Sequence, residues 1–219
     1  MLNLRPVKLM PVREQAASSL REAIITRNLK AGEVLPLEAT ARALGISATP
    51  VREAFQILAR DGLIELAQNR GAVVLGFSEK NIRDHYEMRA ALESEACRLV
   101  CERGASLDGI EHCIVQAREI LKTNPEKYSD YNQSFHYNIW LASGNIRMLN
   151  SLSELWNGLS MGLNTTRTQY FRKSHAEHEA IFSRLQRRDA LRAYEAMHEH
   201  IIRSMNDILT RYICPLTNT

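Results

Sequence analysis

Apolar positions recur at helical spacing along most of the chain, and the one stretch that breaks this rhythm lies near residue 65. Residues 12–28 place Ala16, Leu20, Ala23 and Ile24 on one face and predict a helix, ended by Leu29-Lys30-Ala31-Gly32. A short helix is predicted over 37–43. Gly45 supplies the positive φ that a tight helix–helix turn needs. Ser47 reads as the N-cap of a third helix reaching Arg60, with Val51, Ala54, Phe55 and Leu58 facing inward. Pro50 falls in its first turn, where a missing N–H costs little. Asp61-Gly62 stops it. The period then changes to that of strands over 63–66 and 72–75, joined by the loop Ala67-Gln68-Asn69-Arg70-Gly71.

Helix, helix, turn, helix, hairpin is the order of a winged helix-turn-helix. Gly76-Phe77-Ser78 reads as a linker, and Ser78 as the cap of a long helix over 79–102. Only helical periodicity follows, over 106–123, 126–143, 145–168, 174–188 and 189–212. The breaks fall at Gly104, Asn124-Pro125, Ser143-Gly144-Asn145, the 165–168 region and Arg188-Asp189. The fold class expected is mainly α: an N-terminal winged helix-turn-helix and a C-terminal all-α antiparallel helical bundle. The expected boundaries are a tail at 1–11, the winged domain at 12–75, a linker at 76–78, the helical domain at 79–213 and a tail at 214–219.

Composition adds little until it is split by position. Residues 1–75 hold ten Lys/Arg against seven Asp/Glu, and the rest of the chain holds eighteen of each, so the net charge of +3 sits on the first third. All seven histidines lie beyond it. A mildly basic head suits a polyanionic partner, and a neutral His-bearing body suits a ligand or metal. No apolar run reads as a membrane span or secretory signal, so a cytoplasmic protein is expected. Cys97, Cys101, Cys113 and Cys214 lack zinc-finger spacing and read as reduced thiols, three in helical packing positions and one near the tail.

A helix-turn-helix docks the start of its recognition helix in the major groove of double-stranded DNA. The candidates are therefore Ser47, Ala48, Thr49, Pro50 and Arg52. Arg52 suits a guanine edge or a phosphate. The hydroxyls of Ser47 and Thr49, with the first N–H groups of the helix, suit phosphates. Arg70 and Gly71, at the wing tip, suit the minor groove or the backbone.

In the helical part, Asn132 and His136 share a helix face with Phe135 and Ile139. His178 lines up with Ile181, Phe182 and Leu185. Near the end of the last predicted helix, His198 lies nearer the stripe of Tyr194, Ile201 and Met205, while His200 lies beside Ala193, Ala196 and Met197. Three imidazoles and an amide oxygen would suit Zn²⁺ or another divalent metal if they converged. A lone histidine on an apolar face is more often a satisfied core residue. Arg89 shares a face with Leu92, Glu93, Ala96 and Val100, and a buried guanidinium needs a partner: Glu93, or a bound carboxylate. His85, His112, His175 and His198 read as surface or supporting residues, Trp140 and Trp156 as core, and Arg184-Arg187-Arg188 as a solvated helix end.

The run Leu44-Gly45-Ile46-Ser47-Ala48-Thr49-Pro50-Val51-Arg52-Glu53-Ala54-Phe55, with Leu58, Asp61-Gly62-Leu63 and Arg70-Gly71, resembles the signature of the GntR family over roughly residues 12–75. It departs at Ala48, where the family usually carries an Arg that contacts DNA. Arg89-x-x-Leu92-Glu93, Asn132-x-x-Phe135-His136, Ser143-Gly144-Asn145, Glu177-His178-x-x-Ile181 and Ala196-Met197-x-x-His200-Ile201 resemble the FCD ligand-binding domain of the FadR-type branch, over about 79–213. The resemblance implies a metal held by Asn132, His136, His178 and His200, with Asn132 standing where Asp is usual. The metal expected is zinc, with nickel or manganese as alternatives. It implies Arg89 as an anchor for a small organic-acid effector, and a homodimer on a palindromic operator, more commonly a repressor than an activator. Two rival readings are a structural or empty histidine site and a metal-dependent hydrolase. Against the hydrolase, no Glu or Asp base is evident beside the site.

Overall fold

The computed structural model describes residues 11–67, 71–76, 78–156 and 168–213. The chain divides into two compact units that meet in sequence between Ser78 and Glu79. Arg70, the 68–70 part of the hairpin loop, Phe77, residues 157–167 (with most of the 165–168 break), Cys214 and both chain ends lie outside the described residues.

The first unit opens with α1 (Val12–Ile25), whose buried Ala16, Ala17, Leu20 and Ile24 pack toward α3. Arg21 is buried on the same face, and its Nη2 donates to Asp61 Oδ2 at 2.7 Å. That bond ties α1 to the turn after α3 and supplies the partner a buried guanidinium requires. Helix α2 (Leu37–Leu44) ends at Gly45, whose φ of +67° is the left-handed cap expected of it. Helix α3 (Ala48–Arg60) buries Val51, Ala54, Phe55 and Leu58, as its spacing predicts. Ser47 stands at its N-cap with extended backbone, but its side chain makes no capping hydrogen bond.

The wing contains a strand that the pattern did not reveal. β1 (Val34–Leu35), β2 (Ile64–Ala67) and β3 (Gly71–Val74) form an antiparallel sheet in the order β1-β3-β2. β2 and β3 are the expected hairpin, with Ile64 opposite Val74 and Ala67 opposite Gly71. β1 is two residues long, too short for an alternation to show. It exists because β3 offers its other edge, pairing Val34 with Val73 and Leu35 with Ala72.

The second unit is helical throughout its described residues, apart from turns. Helix α4 (Glu79–Glu102) packs mainly along α9 (Ala190–Ile213), with α6 (Tyr128–Ala142) and α7 (Ile146–Leu155) also against α4. Helix α5 (Asp108–Thr123) lies against α6 and α8 (Thr168–Gln186). Two boundaries differ from the sequence expectation, before α6 and at the start of α8. A 3₁₀ turn, Pro125–Lys127, precedes α6. Helix α7 spans Ile146–Leu155, the shorter, described part of the stretch expected over 145–168. Helix α8 begins at Thr168 rather than near 174, because Phe171 buries itself with Ala117, Leu121 and Tyr128, a long-range contact invisible to local pattern. Arg187 and Arg188 are exposed just past the end of α8, but Arg188 is also tied down. It sits at φ +56° and donates to the carbonyls of Val100 (3.2 Å) and Ala105 (2.7 Å), tying the α8–α9 turn to the end of α4. Cys97, Cys101 and Cys113 are buried free thiols. Among the described residues, no helix is long and apolar enough to cross a membrane.

Candidate functional site

In the first unit, α3 buries one face and leaves the other to solvent. Ser47, Thr49 and Arg52 are exposed at its start, Pro50 is half-buried, and Gln56 and Arg60 continue the exposed face. A groove of about 900 Å³ runs beside this face, lined by Arg52, Phe55 and Gln56 from α3 and by Val34, Leu66 and Gly71 from the wing. Gly71 is a glycine for a packing reason. Its φ is +105°, and a Cβ there would lie 2.0 Å from the Leu35 carbonyl oxygen.

The second unit holds a cluster of three buried imidazoles. His136 comes from α6, His178 from α8 and His200 from α9, and one ring nitrogen of each lies within 4.8 Å of the other two. The last helix chooses between its two histidines by burial. Ala193, Met197, His200, Ile201 and Ser204 form the buried stripe, while His198 is exposed. Asn132 lies one turn before His136 on α6, half-buried. His112 is exposed, whereas His85 and His175 are buried rather than superficial.

Each imidazole is held from behind through Nδ1. Glu93 Oε2 lies 2.6 Å from His136 Nδ1, Glu177 Oε2 lies 2.7 Å from His200 Nδ1, and the Tyr128 hydroxyl lies 3.3 Å from His178 Nδ1. A carboxylate accepts, so Nδ1 of His136 and of His200 carries a proton, and in the neutral tautomer this leaves Nε2 as a lone pair. His178 Nε2 and His200 Nε2 stand 3.2 Å apart. That is close to the ~3.4 Å edge of a tetrahedron with Zn–N bonds of about 2.1 Å. Lone pairs facing each other at this range repel unless a proton or a cation lies between them. Without a cation, His178 Nε2–H donates to His200 while the Tyr128 hydroxyl donates to His178 Nδ1. With one, that proton leaves. The donor set of neutral nitrogens with outer carboxylates fits zinc or a similar divalent metal.

Electrostatics keep the nitrogens of His178 and His200 available. Burial lowers His178 well below the ordinary imidazole value, and its neighbours His200 and His136 add to the effect. Burial also lowers His200, to about 4, against the opposing pull of its hydrogen bond to Glu177. Burial penalises the Glu93 carboxylate, yet Arg89 and His136 outweigh that and hold the group below the usual range. Glu177 is held low in the same way by His200 and Arg203.

Glu93 and Glu177 correct the expectation that no acid stands beside the site. Both are engaged with an imidazole and an arginine, so they orient imidazoles rather than wait as free bases. By spacing, Glu93 is visible as the i+4 neighbour of Arg89, and the FCD resemblance includes it without giving it a role. Its pairing with His136 spans 43 residues and that of Glu177 with His200 spans 23, beyond any local pattern. Trp140 and Trp156 are buried as expected but also wall the site. Trp140 Nε1 donates to Glu93 at 3.0 Å, and the Trp156 ring lies 5.1 Å from that of His136. Arg89 is buried beside them, its Nε 2.8 Å from Glu93 Oε1 and its guanidinium 4.5 Å above the Trp156 ring.

Residues 12–74 match the gntR family of bacterial regulatory proteins, and residues 84–203 match the FCD domain. The chain belongs to the GntR family. Among its relatives, the gluconate operon transcriptional repressor of Bacillus subtilis is 31% identical over 149 residues, covering 66% of this chain and 59% of its own length. The present chain thus spans under two thirds of that repressor. The Glc operon transcriptional activator of Escherichia coli is 27% identical over 87% of this chain and 86% of its own. Among solved structures, E. coli McbR/YncC aligns with a TM-score of 0.65 over 93% of this chain and all of that one, at 18% identity, a likeness of fold. This GntR-family chain therefore carries the helix-turn-helix head of the family on an FCD body. The relatives bear the names of transcriptional regulators, not of enzymes.

Proposed function

We propose that this chain is a sequence-specific DNA-binding transcription regulator, acting as a cytoplasmic homodimer on a palindromic operator. Its grip on DNA is controlled by a small carboxylate effector at a divalent-metal site in the FCD unit. The observation that carries the reading is the convergence of His136, His178 and His200 with their Nδ1 atoms held outward. Asn132 is assigned as a fourth, neutral ligand. Zinc there, with nickel or manganese as alternatives, would supply a Lewis-acid point for an effector oxygen, leaving Arg89 to take the carboxylate. An effector that prefers one arrangement of the dimer shifts the population of arrangements and with it the affinity for DNA. Release on binding, hence repression without ligand, is the mode assigned. The gluconate repressor's name makes polyhydroxy acids the first class to screen.

Metal content of tag-free protein, measured by plasma mass spectrometry, tests the site. About one equivalent of zinc, nickel or manganese per chain is expected, and none in an Asn132→Ala/His136→Ala/His178→Ala variant. Protein that stays metal-free after several ions are added back instead supports the packed reading, in which His178 simply donates to His200.

Ser47, Thr49, Pro50, Arg52 and Gly71, with Arg70 outside the described residues, are assigned to DNA. Arg52→Ala is expected to weaken binding to an operator selected from random duplexes by about 10- to 100-fold, without a change in melting temperature. Fluorescence anisotropy reads this directly, and unchanged affinity would remove Arg52 from the interface.

A further inference from the structure

We propose that Glu93 is the positioning residue that couples the metal ligands to the effector anchor. The proposal rests on the metal-site reading above and deepens it. Glu93 is fully buried on α4, and its two oxygens face two different tasks. Oε1 takes Arg89, with Nε at 2.8 Å and Nη2 at 2.7 Å. Oε2 takes His136 Nδ1 at 2.6 Å and the Trp140 indole N–H at 3.0 Å. Four polar contacts on one carboxylate leave it little freedom to turn. A shift of Arg89 toward a bound carboxylate therefore moves Oε2, and with it the orientation of His136. Trp156 makes the link mechanical as well. Arg89 stacks on it at 4.5 Å, and the His136 ring lies 5.1 Å from it, so the same indole is a wall for both. Arg89 and His136 thus share one rigid partner, Glu93.

Glutamine at position 93 has the same shape and the wrong chemistry. Its single oxygen serves Arg89 or His136, and its NH₂ then faces the other donor in a buried site. The experiment measures zinc affinity by competition with a chromophoric chelator for wild type, Glu93→Gln, Arg89→Met and the double variant, each checked for helicity by circular dichroism. Wild type that binds no zinc sinks the metal-site reading itself, and this proposal with it. If wild type binds, Glu93→Gln is expected to weaken zinc by about 10- to 100-fold at unchanged helicity. Arg89→Met is expected to change zinc affinity in the wild-type background and to have less than about a third of that effect once residue 93 is Gln. Equal effects of Arg89→Met in both backgrounds, or zinc binding by Glu93→Gln within about threefold of wild type, would overturn the coupling. Should Glu93→Gln fail to fold, Glu93→Asp carries the test. Its carboxylate is one methylene short of serving both partners, so zinc affinity still falls at least about threefold, and undiminished affinity rejects the proposal.

Discussion

Replacing Gly71 with alanine is expected to cost the winged unit about 3–5 kcal/mol and to abolish DNA binding. A Cβ built on Gly71 lies 2.0 Å from the Leu35 carbonyl oxygen, and 3.0 Å from both the Leu35 carbonyl carbon and the Leu37 nitrogen. These are backbone atoms. Leu35 is held by its pairing with Ala72, so it cannot swing aside as a flexible side chain would. The φ of +105° adds a separate conformational penalty of about 1–3 kcal/mol. Gly45 provides the control. Its φ is also positive, but a Cβ there meets nothing within 4 Å, so Gly45→Ala carries only the conformational cost, about 1–2 kcal/mol. Urea unfolding, followed by proteolytic susceptibility of the winged unit, separates the two variants. If Gly71→Ala proves no worse than Gly45→Ala, β1 does not hold the wing in place.

Metal-free protein is expected to lose stability steeply as the pH falls from 7 to 4. Burial holds His200 down to about 4 and His178 well below its ordinary value. In the unfolded chain each imidazole takes up a proton near pH 6.5. The folded chain resists doing so until far lower pH. Between those values the unfolded state binds more protons, so acidification favours it. For His200 the stabilisation is complete above about pH 6.5 and gone below about pH 4, an interval worth about 3 kcal/mol, and His178 adds a loss of the same sign. Glu177 and Glu93, both held low in the fold, add losses of the same sign at more acidic pH. Urea midpoints in chelator at pH 7, 5.5 and 4.5 measure the slope, and His200→Gln should flatten it. A flat wild-type profile would mean that the imidazoles are solvated and the site is not the closed one described. Added zinc opposes the loss at neutral pH, because it binds only deprotonated nitrogens, and it gives way as protons compete.

Much of this was legible along the chain. The stripe Val51, Ala54, Phe55 and Leu58, the left-handed Gly45, the strand pairing around the hairpin and the switch to uninterrupted helical period after residue 79 are set by neighbours within a turn or two. Local sterics and the 3.6- and 2-residue repeats determine them wherever the rest of the chain goes. The inward face of Arg89 belongs here too. What the tertiary structure decided lies at long range. The stripe around Tyr194 favoured His198, but packing of α9 against α4 buries Ala193, Met197 and His200 and turns His198 to solvent. β1 forms only because β3 has an open edge, and Arg21 is buried only because Asp61 waits 40 residues away. The site depends on the same kind of contact. His136 meets Glu93 across 43 residues, and His178 meets His200 across 22. Periodicity reports which face of a helix is apolar. Which polar groups meet on that face depends on how the helices pack, because burial forces each imidazole to find its partner in three dimensions.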